Sequence, residues 1–149
     1  MSPNRAADPL EATADNASRL VFKLPAQPFW FSFGADLVGR GSRVAFTAVY
    51  HPGQFLAATQ VGAHYVIPYV DRARRLRPAD PDVLSRLRSV KIEGAPQILA
   101  ASLKSRDQAV EAFRNGSDAI TAPWAVLNEL MQDELTDSAV EQFKAAVPW

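Results

Sequence analysis

The sequence predicts an α/β fold built from parallel βα units, on three observations. Five short apolar runs recur along the chain, at Leu20–Leu24, Val44–Val49, Tyr65–Tyr69, Ile98–Ala101 and Ala119–Thr121. The segments between them place apolar residues at helical spacing. Proline, serine and glycine mark the points where those helices would start and stop. Strand and helix alternating at this spacing point to a parallel sheet.

Taken in order, residues 1–18 are small and polar with no periodic apolar face, and are expected to form a mobile leader ahead of one domain over residues 19–149. The first strand is "RLVFKLPAQ", closed by Pro25. The next stretch, "PFWFSFGADLVGRG", should hold a helix, yet Phe29, Trp30, Phe31 and Phe33 leave its first half without a polar face. A buried lid, a partner interface and a corrupted stretch of sequence all fit it. "HPGQFLAATQVGA" has proline in the first turn and glycine near the stop, with Phe55, Leu56, Thr59 and Val61 expected inward. "DPDVLSRLRSVKIEG" puts Val83, Leu84, Leu87 and Val90 on one stripe. "SRDQAVEAFRNGS" opens with Ser105 and Gln108 at capping-box spacing and closes at Gly116. Two last helices are expected over Trp124–Gln132 and Ser138–Ala146.

Composition narrows the function. Among 149 residues, 16 basic side chains balance 16 acidic ones, which argues against a general phosphate-backbone binder and so against a nucleic-acid partner. With no cysteine and two histidines, His51 and His64, a metal site is not expected. His51 reads as a helix-start residue and His64 as a strand-entry residue. No apolar run is long enough for a membrane span and the start lacks a signal-peptide core, so the expected compartment is the cytoplasm, with no membrane partner.

Chemistry in a parallel α/β array collects at the carboxyl ends of the strands. Lys23, Thr47, Tyr69, Arg72 and Ser102 all fall near such ends. Lys23 lies between Val21, Phe22 and Leu24, and Lys91, Lys104 and Lys144 sit in polar helical surroundings. Burial disfavours the charged form of an amine, and a neutral amine can attack a carbonyl to give a Schiff base. Tyr69 is suited to moving a proton, Thr47 to a polar contact, and Arg72 with Ser102 to a substrate phosphate. Each has a plain alternative. A lysine in an apolar run more often snorkels to solvent, Tyr69 could be a core aromatic, and "RARRLR" could be a solvated basic face. Thr47 could be an ordinary strand residue and Ser102 a cap.

These residues lie in motifs that resemble the transaldolase family, and more closely its short branch that includes fructose-6-phosphate aldolase. The matching segments are "VFKLP", "TAVYHPGQFLAATQVGAHYVIPYVDR", "QILAASLKSRDQAVEAFRNGSDAIT" and the closing "LTDSAVEQFKAAVPW". The resemblance implies a (β/α)8 TIM barrel with no metal and no organic cofactor, working on sugars or sugar phosphates in carbohydrate metabolism. It assigns Lys23 to the Schiff base, Tyr69 to proton handling, Thr47 to a polar active-site position, and Arg72 and Ser102 to phosphate binding. Tyrosine in the "PYV" position leans toward aldol cleavage over transfer. The family's first three strands, with their aspartate, T-T-N-P turn and glutamine, have no counterpart here, so the resemblance implies an incomplete barrel of about five strands. Two functions follow: a Schiff-base aldolase or transaldolase, or an inactive half-barrel serving as an interaction or assembly module. A homo-oligomer or a complementing chain is the partner expected for either.

Overall fold

A computed structural model of the chain describes residues 20–146; the expected leader lies outside them. Five strands form one sheet in sequential order, all parallel: β1 (Val21–Pro25), β2 (Arg43–Val49), β3 (Tyr65–Pro68), β4 (Gln97–Ala100) and β5 (Ala119–Ile120). Between and after them run α1 (Pro28–Gly39), α2 (Pro52–Val61), α3 (Val70–Leu76), α4 (Val83–Arg88), α5 (Arg106–Arg114), α6 (Trp124–Met131) and α7 (Glu134–Ala146). Strand followed by helix, with neighbours in chain order, is the wall of a (β/α)8 barrel, incomplete among the described residues.

Strand periodicity divides the sheet into two faces. Phe22, Leu24, Val44, Phe46, Val66, Ile98 and Ala100 face the helices and join Leu37, Phe55, Ala58, Leu84, Leu87 and Leu103 in the main core. The opposite face holds a small cluster of Ala45, Ile67 and Ala101, flanked by Tyr65, Tyr69 and Leu99. Helix boundaries follow local chemistry. Pro28 and Pro52 open α1 and α2, where a missing N–H costs nothing. His51 caps α2 by accepting the Gly53 N–H at Nδ1, 2.9 Å away, and Gly62 ends it at φ 78°. Ser105 caps α5 by accepting the Gln108 N–H at 3.2 Å.

The apolar "PFWFSFGADLVG" stretch is α1, and it is not a buried lid. Gly34 and Leu37 face the core, Trp30 and Phe31 are half-buried, and Phe29 is 71% exposed. Phe29, Trp30 and Phe33 stack edge to face along its surface. Gly34 permits this: a Cβ there would lie 2.7 Å from Cζ of Phe46. In α2 the inward residues are Phe55 and Ala58, while Leu56 turns out to solvent, because the 3.6-residue repeat carries position 56 off the buried stripe. α7 starts four residues earlier than expected, at Glu134, with the carboxylates of Glu134 and Asp137 in its first turn. Its described residues are all outside the core.

Candidate active site

Four of the five sequence candidates, Thr47, Tyr69, Arg72 and Ser102, gather where β2–β4 end; the fifth is placed differently. Lys23 is the middle residue of β1, paired with Ala45, and not near the strand end. Alternation sends Phe22 and Leu24 toward the helices and Lys23 to the opposite, inner face. Lys23 is exposed there, so the apolar enclosure expected from its sequence neighbours does not surround it. The ion pairs among the described residues do not include it.

Thr47 lies two residues beyond the partner of Lys23 on β2, on the same inner face. Directly after it, Ala48 takes φ 58°, and the register with β3 slips between Thr47 and Val49. That irregularity turns Val49 into the core while leaving the Thr47 hydroxyl inward. Thr47 Oγ1 donates to the phenol oxygen of Tyr69 at 3.1 Å. The phenol's own proton is then free for another acceptor. Tyr69 is also fixed from two sides, by the Tyr50 ring edge-on at 6.2 Å and the Arg72 guanidinium 4.9 Å from the ring centroid.

Arg72 differs from the other arginines of its run. Arg74 pairs with Glu111 at 2.8 Å, Arg75 with Asp71 at 2.9 Å, and Arg77 donates to the Tyr50 carbonyl at 3.3 Å. Arg72 leans over Tyr69 instead, with its donors available to an anion. Ser102 sits just past β4 at φ 64°, a left-handed conformation that costs a residue with a Cβ. Its carbonyl accepts from Asp71 N at 3.3 Å and that of Ala101 from Val70 N at 2.9 Å, which ties the start of α3 to the end of β4. Arg72 and Ser102 are thereby carried by one joined corner. The Asp71 carboxyl in that corner is held below its ordinary range, first by its hydrogen bond from Arg75, against some desolvation, and further by Gln108.

Three residues of this region escaped the sequence reading. Gln54 accepts the Tyr50 and His51 N–H groups at 2.8 and 3.1 Å and donates to the Ala26 carbonyl at 2.9 Å, binding the segment after β1 to the corner after β2. Arg43 and Tyr65 join across the inner face, Arg43 Nη2 donating to the phenol oxygen at 2.7 Å. Their signal was parity: positions 43, 45 and 47, and 65, 67 and 69, alternate onto the face that carries Lys23. A separate cleft walled by Ser105, Arg106, Glu129 and Asp133 includes none of the five candidates. Among the described residues no group of three or more His, Cys, Asp or Glu could hold a metal ion, and no helix is long and apolar enough to cross a membrane.

A family model described as transaldolase/fructose-6-phosphate aldolase matches residues 5–148. The chain belongs to this family. Among curated relatives, probable transaldolases, that of Sulfurihydrogenibium sp. is 27% identical over 135 residues, covering 89% of this chain and 62% of the relative. That of Paracoccus denitrificans is 32% identical over 111 residues, 73% of this chain and 51% of the relative. That of Heliobacterium modesticaldum is 34% identical over 126 residues, 83% and 59%. The chain thus spans between half and two thirds of the length of these transaldolase relatives.

Proposed function

We propose that this chain performs Schiff-base aldol chemistry on phosphorylated keto sugars, with Lys23 as the imine-forming amine. The observation that carries the proposal is that Lys23 shares the inner face of the sheet with the hydrogen-bonded Thr47–Tyr69 pair, which adjoins the corner bearing Arg72 and Ser102. Lys23 attacks the ketose carbonyl, and loss of water leaves an iminium that draws electrons from the adjacent carbon–carbon bond. Tyr69, its oxygen already engaged by Thr47, gives or takes the proton of the hydroxyl whose carbon departs. Arg72 and Ser102 bind the phosphate and set the sugar's direction. Dihydroxyacetone or fructose 6-phosphate with cyanoborohydride should leave a reduced adduct on Lys23, found by peptide mass, and none in Lys23→Met. An unlabelled lysine under conditions that label a working Schiff-base aldolase refutes the proposal.

One observation favours a second role, as a non-catalytic half-barrel that assembles. Among the described residues β1 pairs on one side only, and Leu20, Val21 and Lys23 stand exposed along it. Sedimentation at micromolar concentration should then show self-association or uptake of a second chain; a dilute, folded monomer that also labels at Lys23 rules that role out.

A further inference from the structure

The phenol in the row of Lys23 is Tyr65, not Tyr69. Lys23 is paired with Ala45, Ala45 with Tyr65, and Tyr65 with Gln97, so these residues cross the inner face as one line. Lys23 and Tyr65 stand two strands apart, roughly 9–10 Å between backbones. Between them is Ala45, whose methyl leaves the space above the sheet to the two long side chains. Tyr69 lies four residues further along, at the rim.

Tyr65 is held in a particular state of hydrogen bonding. Arg43 donates Nη2 to the phenol oxygen at 2.7 Å, and its guanidinium carbon lies 5.4 Å from the ring centroid. Because the oxygen accepts from a cation, its proton is free to be donated, and a phenolate formed there would find its counter-charge in place. Across the described inner-face positions of the sheet, Lys23 and Arg43 carry charge and no carboxylate accompanies them; Arg72 adds a third cation at the rim. Among the described inner-face residues, the neutral groups able to give a proton near the amine are phenols and hydroxyls.

We infer that Tyr65, held by Arg43, is a second proton donor of this site, acting at formation of the imine. This rests on the reading of Lys23 as the imine-forming amine. Attack of neutral Nζ on a ketose carbonyl, with a proton passing from nitrogen to oxygen, gives a carbinolamine. Tyr65 transfers its proton to the carbinolamine hydroxyl, the C–O bond breaks, water leaves, and the nitrogen lone pair completes C=N. The phenolate stays paired with Arg43 until solvent returns the proton. Tyr69 is left to the later cleavage of the carbon–carbon bond, so the two phenols divide the proton transfers between them.

The test is the rate of cyanoborohydride trapping of dihydroxyacetone on the full chain and its variants. Tyr65→Phe, which removes one oxygen, should trap about 10²-fold more slowly, the lower end of what a general acid contributes. Arg43→Met should show a similar loss and Arg43→Lys should recover most of it. Added imidazolium should speed trapping in Tyr65→Phe in proportion to its concentration and leave the parent rate unmoved, a response no merely structural defect gives. Trapping by Tyr65→Phe at the parent rate, or a slow variant indifferent to added acid, overturns the assignment while leaving Lys23 in its role. Failure of the parent chain to label at Lys23 removes both.

Discussion

Replacing Gly34 by alanine sets two effects of opposite sign against each other. Gly34 is inside α1, where alanine is favoured over glycine by about 0.8–1.0 kcal/mol. Against that, the new Cβ would stand 2.7 Å from Cζ and 3.4 Å from Cε1 of Phe46, with the Leu24 Cδ1 also at 3.4 Å. Phe46 is 0% exposed, and the Phe31 ring packs against it with centroids 4.4 Å apart, so it has little room to retreat. Forcing one extra methyl into a packed core costs roughly 1–3 kcal/mol, and the tight neighbours put this site in the upper half of that range. The expected net loss is about 1–2 kcal/mol, or roughly 2–8 °C in Tm for a chain of this size. Thermal and urea unfolding followed by circular dichroism would measure it. Gly39→Ala in the same helix, where an added Cβ meets nothing within 4 Å, supplies the control. Phe46→Leu should relieve the clash, so the double variant should lose less than the sum of the single losses. A Gly34→Ala protein at least as stable as its parent would refute the account of how α1 seats on β2.

Other outcomes follow from the same contacts. Gln54→Leu strands two N–H groups and one carbonyl and should cost about 1–3 kcal/mol, with faster amide exchange at Tyr50 and His51 as its local sign. Burial pushes the Asp118 carboxyl up, but the Ile98 N–H at 2.7 Å and the Lys91 ammonium outweigh it and hold the folded value below the ordinary 3.8. Asp118 therefore contributes stability that is present above the ordinary value and lost as pH falls through the folded one. Asp118→Asn should flatten the acid limb of a stability-versus-pH curve, and an unchanged limb would count against the assignment. Arg72→Ala should weaken use of fructose 6-phosphate about 10²-fold while changing dihydroxyacetone trapping little, since the latter carries no phosphate; equal losses on both would place Arg72 outside phosphate binding.

Much of this arrangement was legible in the sequence because strand and helix periods differ so plainly. The five apolar runs locate the five strands to within a residue or so, and the cap residues His51 and Ser105 stand where the helices begin. Adjacency in sequence misled at Lys23. Val21, Phe22 and Leu24 looked like its enclosure, yet in the strand Phe22 and Leu24 point to the other face, and Val21, on the same face, is itself exposed. Its true surroundings are cross-strand partners, which a run of letters does not display. Arg43 and Tyr65 were missed for the same reason, since 22 residues separate the partners of that hydrogen bond. Leu56 went astray because a leucine in a helix suggests a core position, whereas the repeat placed Phe55 and Ala58 there. The aromatic stretch from Phe29 to Phe33 became readable once Gly34 was seen to seat α1 on Phe46.

The unequal division of apolar packing between the two sides of the sheet has a consequence for laboratory evolution. Cohesion resides on the helix side, around Phe46, Phe55, Leu84 and Ile98, while Ala45, Ile67 and Ala101 form a modest patch on the other. Randomising Lys23, Arg43, Thr47 and Tyr65 together therefore perturbs little of what keeps the polypeptide folded. A selection for altered carbonyl reactivity could sample those four codons broadly, and most clones would survive to be assayed.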